Sequence, residues 1–119
     1  MRVKDLVGRH GEELAARHLQ DAGFVVLVRN WRCDIGEIDI VARDGQTLVV
    51  CEVKTRSGVM FGTPLEAVTP EKAARLRRLA ARFLADHDLR PRAVRIDVVG
   101  VLRRGSAPAH IEHVRGIDG

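Results

Sequence analysis

The stretch Ile35-Gly36-Glu37-Ile38-Asp39-Ile40-Val41-Ala42-Arg43-Asp44-Gly45-Gln46-Thr47-Leu48-Val49-Val50-Cys51-Glu52-Val53-Lys54 reads as two strands joined by a tight turn. Over Ile35 to Ala42, Ile38 and Ile40 alternate with Glu37 and Asp39. Asp44-Gly45 is a strong turn pair between alternating segments, so Leu48 to Lys54 should pair antiparallel with the strand before it. Alternation puts Val49, Cys51 and Val53 on one face of that strand, and Val50, Glu52 and Lys54 on the other. A register roughly symmetric about the turn makes Asp39 and Glu52 cross-strand neighbours.

Helical and extended signals surround this hairpin. From about Val7 to Ala22, Leu14, Ala15, His18, Leu19 and Ala22 recur at helical spacing, and Gly23 stops the run. Phe24 to Val28 is a short β-branched run, expected as the first strand. Ser57 to Ala67, with Gly58, Gly62 and Pro64, reads as a loop. Thr69-Pro70 then opens a second helix, Thr69 as N-cap and Pro70 in the first turn, running to about Asp86. Its apolar stripe is Ala73, Leu76, Ala80, Phe83 and Leu84. Val94, Ile96 and Val98 mark a fourth strand, and His110 to Val114 a short fifth. Gly105 to Pro108 and the last residues, 116–119, read as loose. The order predicts an α/β fold, a mixed sheet of about five strands covered by helices.

A chain of 119 residues suits a single domain spanning 1–119. With 45% apolar and 30% charged residues it is composed like a globular protein, not a disordered one. The aromatics are only Phe24, Phe61, Phe83 and Trp31, which argues against single-strand binding by rows of stacked bases. A net charge of +4, carried mostly by Arg, favours a polyanionic partner. Neither a signal peptide nor an apolar membrane span is visible, and Cys33 and Cys51 form no metal-binding pair. A reduced, cytoplasmic protein with no membrane association is the expectation.

Asp39, Glu52 and Lys54 are the candidates for chemistry. Two neighbouring carboxylates repel, and one pKa rises unless a cation lies between them. Hard oxygen ligands suit Mg²⁺ or Mn²⁺, with the backbone carbonyl of Val53 as a further ligand. Lys54 could orient the attacking water and offset charge on a phosphoryl oxygen, a division of labour that fits phosphodiester hydrolysis. The same residues on a solvated hairpin would form ordinary surface salt bridges, each worth about 0–1 kcal/mol. Glu12, beside Glu13 at a helix start, is favourable there against the helix dipole whatever its role. Glu37 is either a further acidic group at the rim or a partner for Arg32 or Arg56.

Arg56 leaves the strand just after Lys54, as a phosphate contact or a rim ion pair. Lys72 sits in the first turn of the second helix, where a cation opposes the dipole unless an anion is near; a phosphate would satisfy it. Arg75, Arg77, Arg78 and Arg82 make a candidate stripe for nonspecific backbone contact, or simply the charged outer face that any amphipathic helix needs. His18 reads as a half-buried spacer, Cys51 as a buried thiol, and Trp31 as an anchor for the loop before the hairpin.

Several of these pieces together resemble a known family. Gly8-x-x-Gly11-Glu12-x-x-Ala15-x-x-x-Leu19 with Gly23, Asn30-Trp31-Arg32, Gly36-Glu37-Ile38-Asp39-Ile40 and Cys51-Glu52-Val53-Lys54-Thr55-Arg56 are similar to the UPF0102 (YraN) family of bacteria. Phe61-Gly62-Thr63-Pro64 and Ala67-Val68-Thr69-Pro70 with Lys72 fit as well. That family is similar to the restriction-endonuclease-like superfamily and to archaeal Holliday-junction resolvases. The resemblance implies a PD-(D/E)xK nuclease core, with Asp39 as first acidic ligand and Glu52-Val53-Lys54 as the (D/E)xK element. It also implies Glu12, from the first helix, as a further metal ligand. Ile38 stands where the superfamily's motif has proline.

Two functions follow. One is a Mg²⁺- or Mn²⁺-dependent endonuclease acting on DNA, with branched or structured DNA the natural substrate for so small a reading surface. Symmetric cutting of a junction needs two sites, and hence a homodimer; an unidentified protein partner is a further candidate. The other is a non-catalytic nucleic-acid-binding or partner-binding protein that keeps the nuclease fold. The joint presence of Asp39, Glu52 and Lys54 favours the first, since a pure binder gains little from carboxylates where a phosphate should dock.

Overall fold

The computed structural model describes residues 3–57, 66, 68–103 and 105–118. Its elements are α1 (Val3–Asp21), β1 (Val25–Cys33), β2 (Gly36–Asp44), β3 (Thr47–Ser57), α2 (Pro70–His87), β4 (Ala93–Arg103) and β5 (His110–Val114). The five strands form one sheet in sequence order. β1, β2 and β3 make an antiparallel meander, β4 lies parallel to β3, and β5 returns antiparallel to β4. The sheet is therefore mixed, as expected, and the helix α2 lies in the connection between the parallel pair.

β3 explains why the chain folds this way. It is flanked by strands on both sides, and Leu48 to Glu52 are all buried, so each face of this strand needs its own cover. Val49 and Cys51 pack with Ala15, Ala16 and Leu19 of α1, together with Ile40, Ala42, Val99 and Val101. Leu48 and Val50 pack on the opposite face with Leu76, Leu79, Ala80 and Phe83 of α2, together with Ile38, Val41 and Ile96. Cys51 is a buried thiol as expected, its pKa driven up by burial. At the turn, Gly45 supplies a φ of +60° that a side chain would resist, and Asp44 pairs with Thr47 across it.

β1 is longer than the expected Phe24–Val28, continuing through Arg29-Asn30-Trp31-Arg32 to Cys33. It is an edge strand, where one row of backbone groups and the charged side chains stay in water, so polar residues do not end it. Inside it Asn30 has a φ of 55°, and the usual alternation reverses there. Arg29 lies opposite Ile40 of the α1-side core, whereas Trp31 lies opposite Ile38, and both of these pack on the α2 side. Ile38 and Ile40, expected to share a face, are thus on opposite faces. Trp31, expected to anchor a loop, instead packs from within β1, edge-on to Phe83 at 5.3 Å between ring centres.

The expected loop Ser57 to Ala67 lies largely outside the described residues; β3 reaches Ser57. Residues 116–118, expected to be loose, are instead fixed. Gly116 N–H donates to Asp97, Ile117 N–H donates to the Ile96 carbonyl, and Asp118 pairs with Arg77 at 2.6 Å. A buried acceptor at Asp97 and an apolar side chain at Ile117 supply the attachment that composition hid. Among the described residues, no helix is long and apolar enough to cross a membrane.

Candidate functional site

The β2–β3 ladder runs from Asp44 opposite Thr47 to Ile40 opposite Cys51 and stops there, while β3 goes on pairing with β4 as far as Ser57 opposite Arg103. β2 therefore parts from β3 just past Ile40, at the level where Asn30 reverses the alternation of the neighbouring strand. In place of a ladder bond, the Asp39 carboxylate accepts from the Val53 N–H at 2.8 Å. The ladder thus stops one pair short of the expected Asp39–Glu52 pairing, although Asp39 still lies close enough to feel the Glu52 charge. Burial, the Glu52 charge and, more weakly, Glu12 and Glu37 push the Asp39 pKa up to about 7, against the opposing Val53 N–H bond.

Glu52 is 7% exposed, on the α2-facing side of β3 with Val50. Two lysines converge on one of its oxygens. The Lys72 ammonium lies 2.7 Å from Oε1 and the Lys54 ammonium 3.4 Å from the same atom. Burial and the neighbouring Lys72 lower the Lys54 pKa, only partly opposed by Glu52. Burial also works against charge on Lys72, but its hydrogen bonds to Glu52 and Lys54 prevail and raise its pKa. The anion that a lysine in the first turn of α2 requires is therefore Glu52. Thr69 caps that helix as expected, accepting from Lys72 N–H at 3.1 Å.

Glu12 reaches the region from the other face of the sheet. Gly11 permits it: a Cβ there would lie 2.0 Å from Thr55 Oγ1, so only glycine lets α1 press this closely on β3. Burial raises the Glu12 pKa, with Glu37 and Glu52 adding to it and a hydrogen bond from the Asn30 side chain opposing. Glu37 pairs with Arg32 at 2.6 Å, which decides between its expected partners.

The donor chemistry here fits a hard divalent cation. Glu12 and Asp39 are carboxylates whose pKa is raised by burial and by neighbouring carboxylates, Glu52 among them, and a cation between the three would relieve that repulsion. Yet among the described residues no three carboxylate, histidine or cysteine side chains are gathered so as to hold a metal ion. Glu52 is turned to the two lysines and Asp39 to the Val53 N–H.

The basic residues divide into engaged and open ones. Arg82 is held by Asp34 at 2.8 Å and Asp86 at 3.4 Å, and Arg77 by Asp118 and the Val94 carbonyl. Arg75 and Arg78 are exposed and Arg56 bonds the adjacent Thr55 carbonyl; among the described residues none of the three has an ion pair. Arg75 lies against Gly36, so with Lys72 it lines the flank of α2 that faces the start of β2.

Two features escaped the sequence. Asn30 both reverses β1 and contacts Glu12; its only signal was that Asn tolerates the left-handed region. The other is a buried network away from the site. Asp97, fully buried, accepts from Arg95 at 2.8 Å, from His113 at 2.9 Å and from Gly116 N–H. Burial alone would raise the Asp97 pKa, but these donors overcome it and lower it. His18, expected as a spacer, hydrogen-bonds His113 at 3.2 Å.

The profile described as "Uncharacterised protein family UPF0102" matches residues 11–101. A UPF0102 protein of Beutenbergia cavernae is 60% identical over 117 residues, covering 98% of this chain and 99% of its own. One from Frankia alni is 59% identical over 116 residues, covering 98% and 97%. Among solved structures the chain is similar to Hjc of Archaeoglobus fulgidus, described as a Holliday junction resolvase from an archaeal hyperthermophile. That likeness has 19% identity and a TM-score of 0.47, over 87% of this chain and 74% of the other.

Proposed function

The chain belongs to the UPF0102 family, and we propose that it is a divalent-cation-dependent endonuclease that hydrolyses phosphodiester bonds in DNA, branched or otherwise structured DNA above all. The observation that carries this reading is the meeting of Asp39, Glu52 and Lys54 where β2 parts from β3, with Asp39 pushed up to about 7 by burial and Glu52. Burying Asp39 beside the Glu52 charge costs free energy that a nearby cation would relieve, and carboxylates perturbed in this way are candidates for a functional site.

Glu52 and Asp39 would hold Mg²⁺ or Mn²⁺, with Glu12 and the Val53 carbonyl as further oxygen donors. The cation supplies Lewis acidity toward a phosphoryl oxygen and favours the ionised nucleophile. Lys54, with its pKa lowered, is suited to orient the attacking water and to balance charge growing on the phosphoryl oxygens. Arg75, Arg78 and Arg56 are the open cations suited to backbone phosphates, which position a substrate without reading its sequence. Paired cuts across a junction would take two copies of the chain, in the cytoplasm where DNA is at hand.

A second reading is favoured by one observation. Glu52 is already satisfied by two ammonium groups, and no three metal-binding side chains are gathered among the described residues. On this reading the chain keeps a nuclease scaffold and binds nucleic acid or a partner without cutting.

Cleavage of end-labelled four-way, flapped, single-stranded and linear duplex DNA, with Mn²⁺, Mg²⁺ or chelator, separates the two. The nuclease reading expects metal-dependent products that disappear in Glu52→Gln and Lys54→Met while DNA binding persists. Binding without products in the wild type, unaltered by Lys54→Met, would leave the binding reading.

A further inference from the structure

We propose that Lys72 is the resident counter-ion of the Glu52 carboxylate, that a divalent cation binding there displaces it by like-charge repulsion, and that the displaced ammonium then serves the substrate phosphate. This rests on the metal-site reading above and adds a regulatory step to it.

The geometry is specific. Both ammonium groups address one oxygen, Glu52 Oε1, with Lys72 at 2.7 Å and Lys54 at 3.4 Å. A cation bound to this carboxylate would lie beside both ammonium groups, and relief of that like-charge repulsion favours moving one lysine away. Lys54 stands two residues along the same strand, and its side chain is only 21% exposed. Lys72 reaches in from a different element with 32% of its side chain exposed, and its long stem can swing without moving the helix.

Lys72 also has a reason to find another anion once it lets go. It is the third residue of α2, at the positive end of the helix dipole, where an ammonium is tolerated only beside negative charge. Exposed Arg75 follows one turn later on the same helix. A phosphate placed there would meet Lys72, Arg75 and the amino-terminal end of α2 together. Cation and nucleic acid would then strengthen each other's binding, because each favours the state in which Lys72 has left Glu52.

The test is calorimetric titration of Mn²⁺ into wild type, Lys72→Met, Lys72→Gln and Glu52→Gln proteins. It is run at 0.5 M KCl, where screening leaves mainly contact interactions, and repeated at lower salt with a saturating uncleavable phosphorothioate duplex. Lys72→Met should bind Mn²⁺ at least about fivefold more tightly than wild type, the equivalent of about one contact ion pair. The duplex should tighten Mn²⁺ binding in wild type but not in either Lys72 variant. Lys72→Gln repeats the test should the Met variant fold poorly, and circular dichroism checks both. Unchanged or weaker Mn²⁺ binding in the Lys72 variants, with binding still lost in Glu52→Gln, would overturn the displacement and leave the metal site standing. Mn²⁺ binding untouched by Glu52→Gln, or absent from every protein, would overturn both.

Discussion

Asp39→Asn removes a charge while leaving an oxygen to accept from the Val53 N–H, so it isolates the electrostatic cost of ionising this residue in the fold. The Asp39 pKa moves from an ordinary 3.8 up to about 7, a gap of about three units. At about 1.4 kcal/mol per unit this is an upper figure of about 4 kcal/mol. Well below pH 4, folded and unfolded chains both keep the proton, and the ionisation of Asp39 has no effect on stability. Between about pH 4 and 7 the unfolded chain releases it first; the folded state then binds more protons, and wild-type stability falls as pH rises. Above pH 7 the loss is complete. Urea unfolding in chelator from pH 4 to 8 should give wild type and Asp39→Asn nearly equal stability at the acid end. At pH 8 the variant should be more stable by up to about 4 kcal/mol. Mg²⁺ should recover stability in the wild type at pH 8 and not in the variant. Parallel stability profiles, or a variant less stable at pH 8, would refute the reasoning.

Three further outcomes follow from particular contacts. Gly11→Ala places a Cβ 2.0 Å from Thr55 Oγ1 and should destabilise the protein by about 1–3 kcal/mol; adding Thr55→Gly should recover most of that in the same unfolding assay. Asp97→Ala strips the buried acceptor of Arg95, His113 and Gly116 N–H, and should cost about 3–5 kcal/mol at neutral pH. Because the Asp97 pKa is lowered, that contribution is complete above the ordinary Asp range and fades as pH falls through the lowered value, so the two proteins should converge in acid. Arg78→Gln should weaken duplex binding in anisotropy titrations and lower the slope of log K against log salt by about 1, whereas Arg82→Gln should change it less, because Asp34 and Asp86 already hold Arg82.

The hairpin was legible because its signals are local. Asp44-Gly45 set the turn, alternation set the faces of β3, and together they placed Asp39 near Glu52. Lys72 was half legible: a lysine at the start of α2 announced a missing anion, but only the packing of α2 on β3 identified it as Glu52. Asn30 was not legible, since one residue in the left-handed region reverses a strand without changing its composition. Nor was the Asp97 network, whose members His18 and His113 lie 95 residues apart and meet only through α1 and β5. Arg77 and Arg82 looked like part of an open basic stripe, and only their contacts with Asp118, Asp34 and Asp86 show that they are engaged.

The most direct test of the site is the release of labelled product from a four-way DNA junction in Mn²⁺ by wild type and Glu52→Gln proteins matched for folding and for DNA binding. Products from the wild type alone, abolished by chelator, are the predicted result. A wild-type protein that binds the junction and leaves it intact, or a Glu52→Gln protein that cuts it equally well, would contradict a catalytic role for Asp39, Glu52 and Lys54.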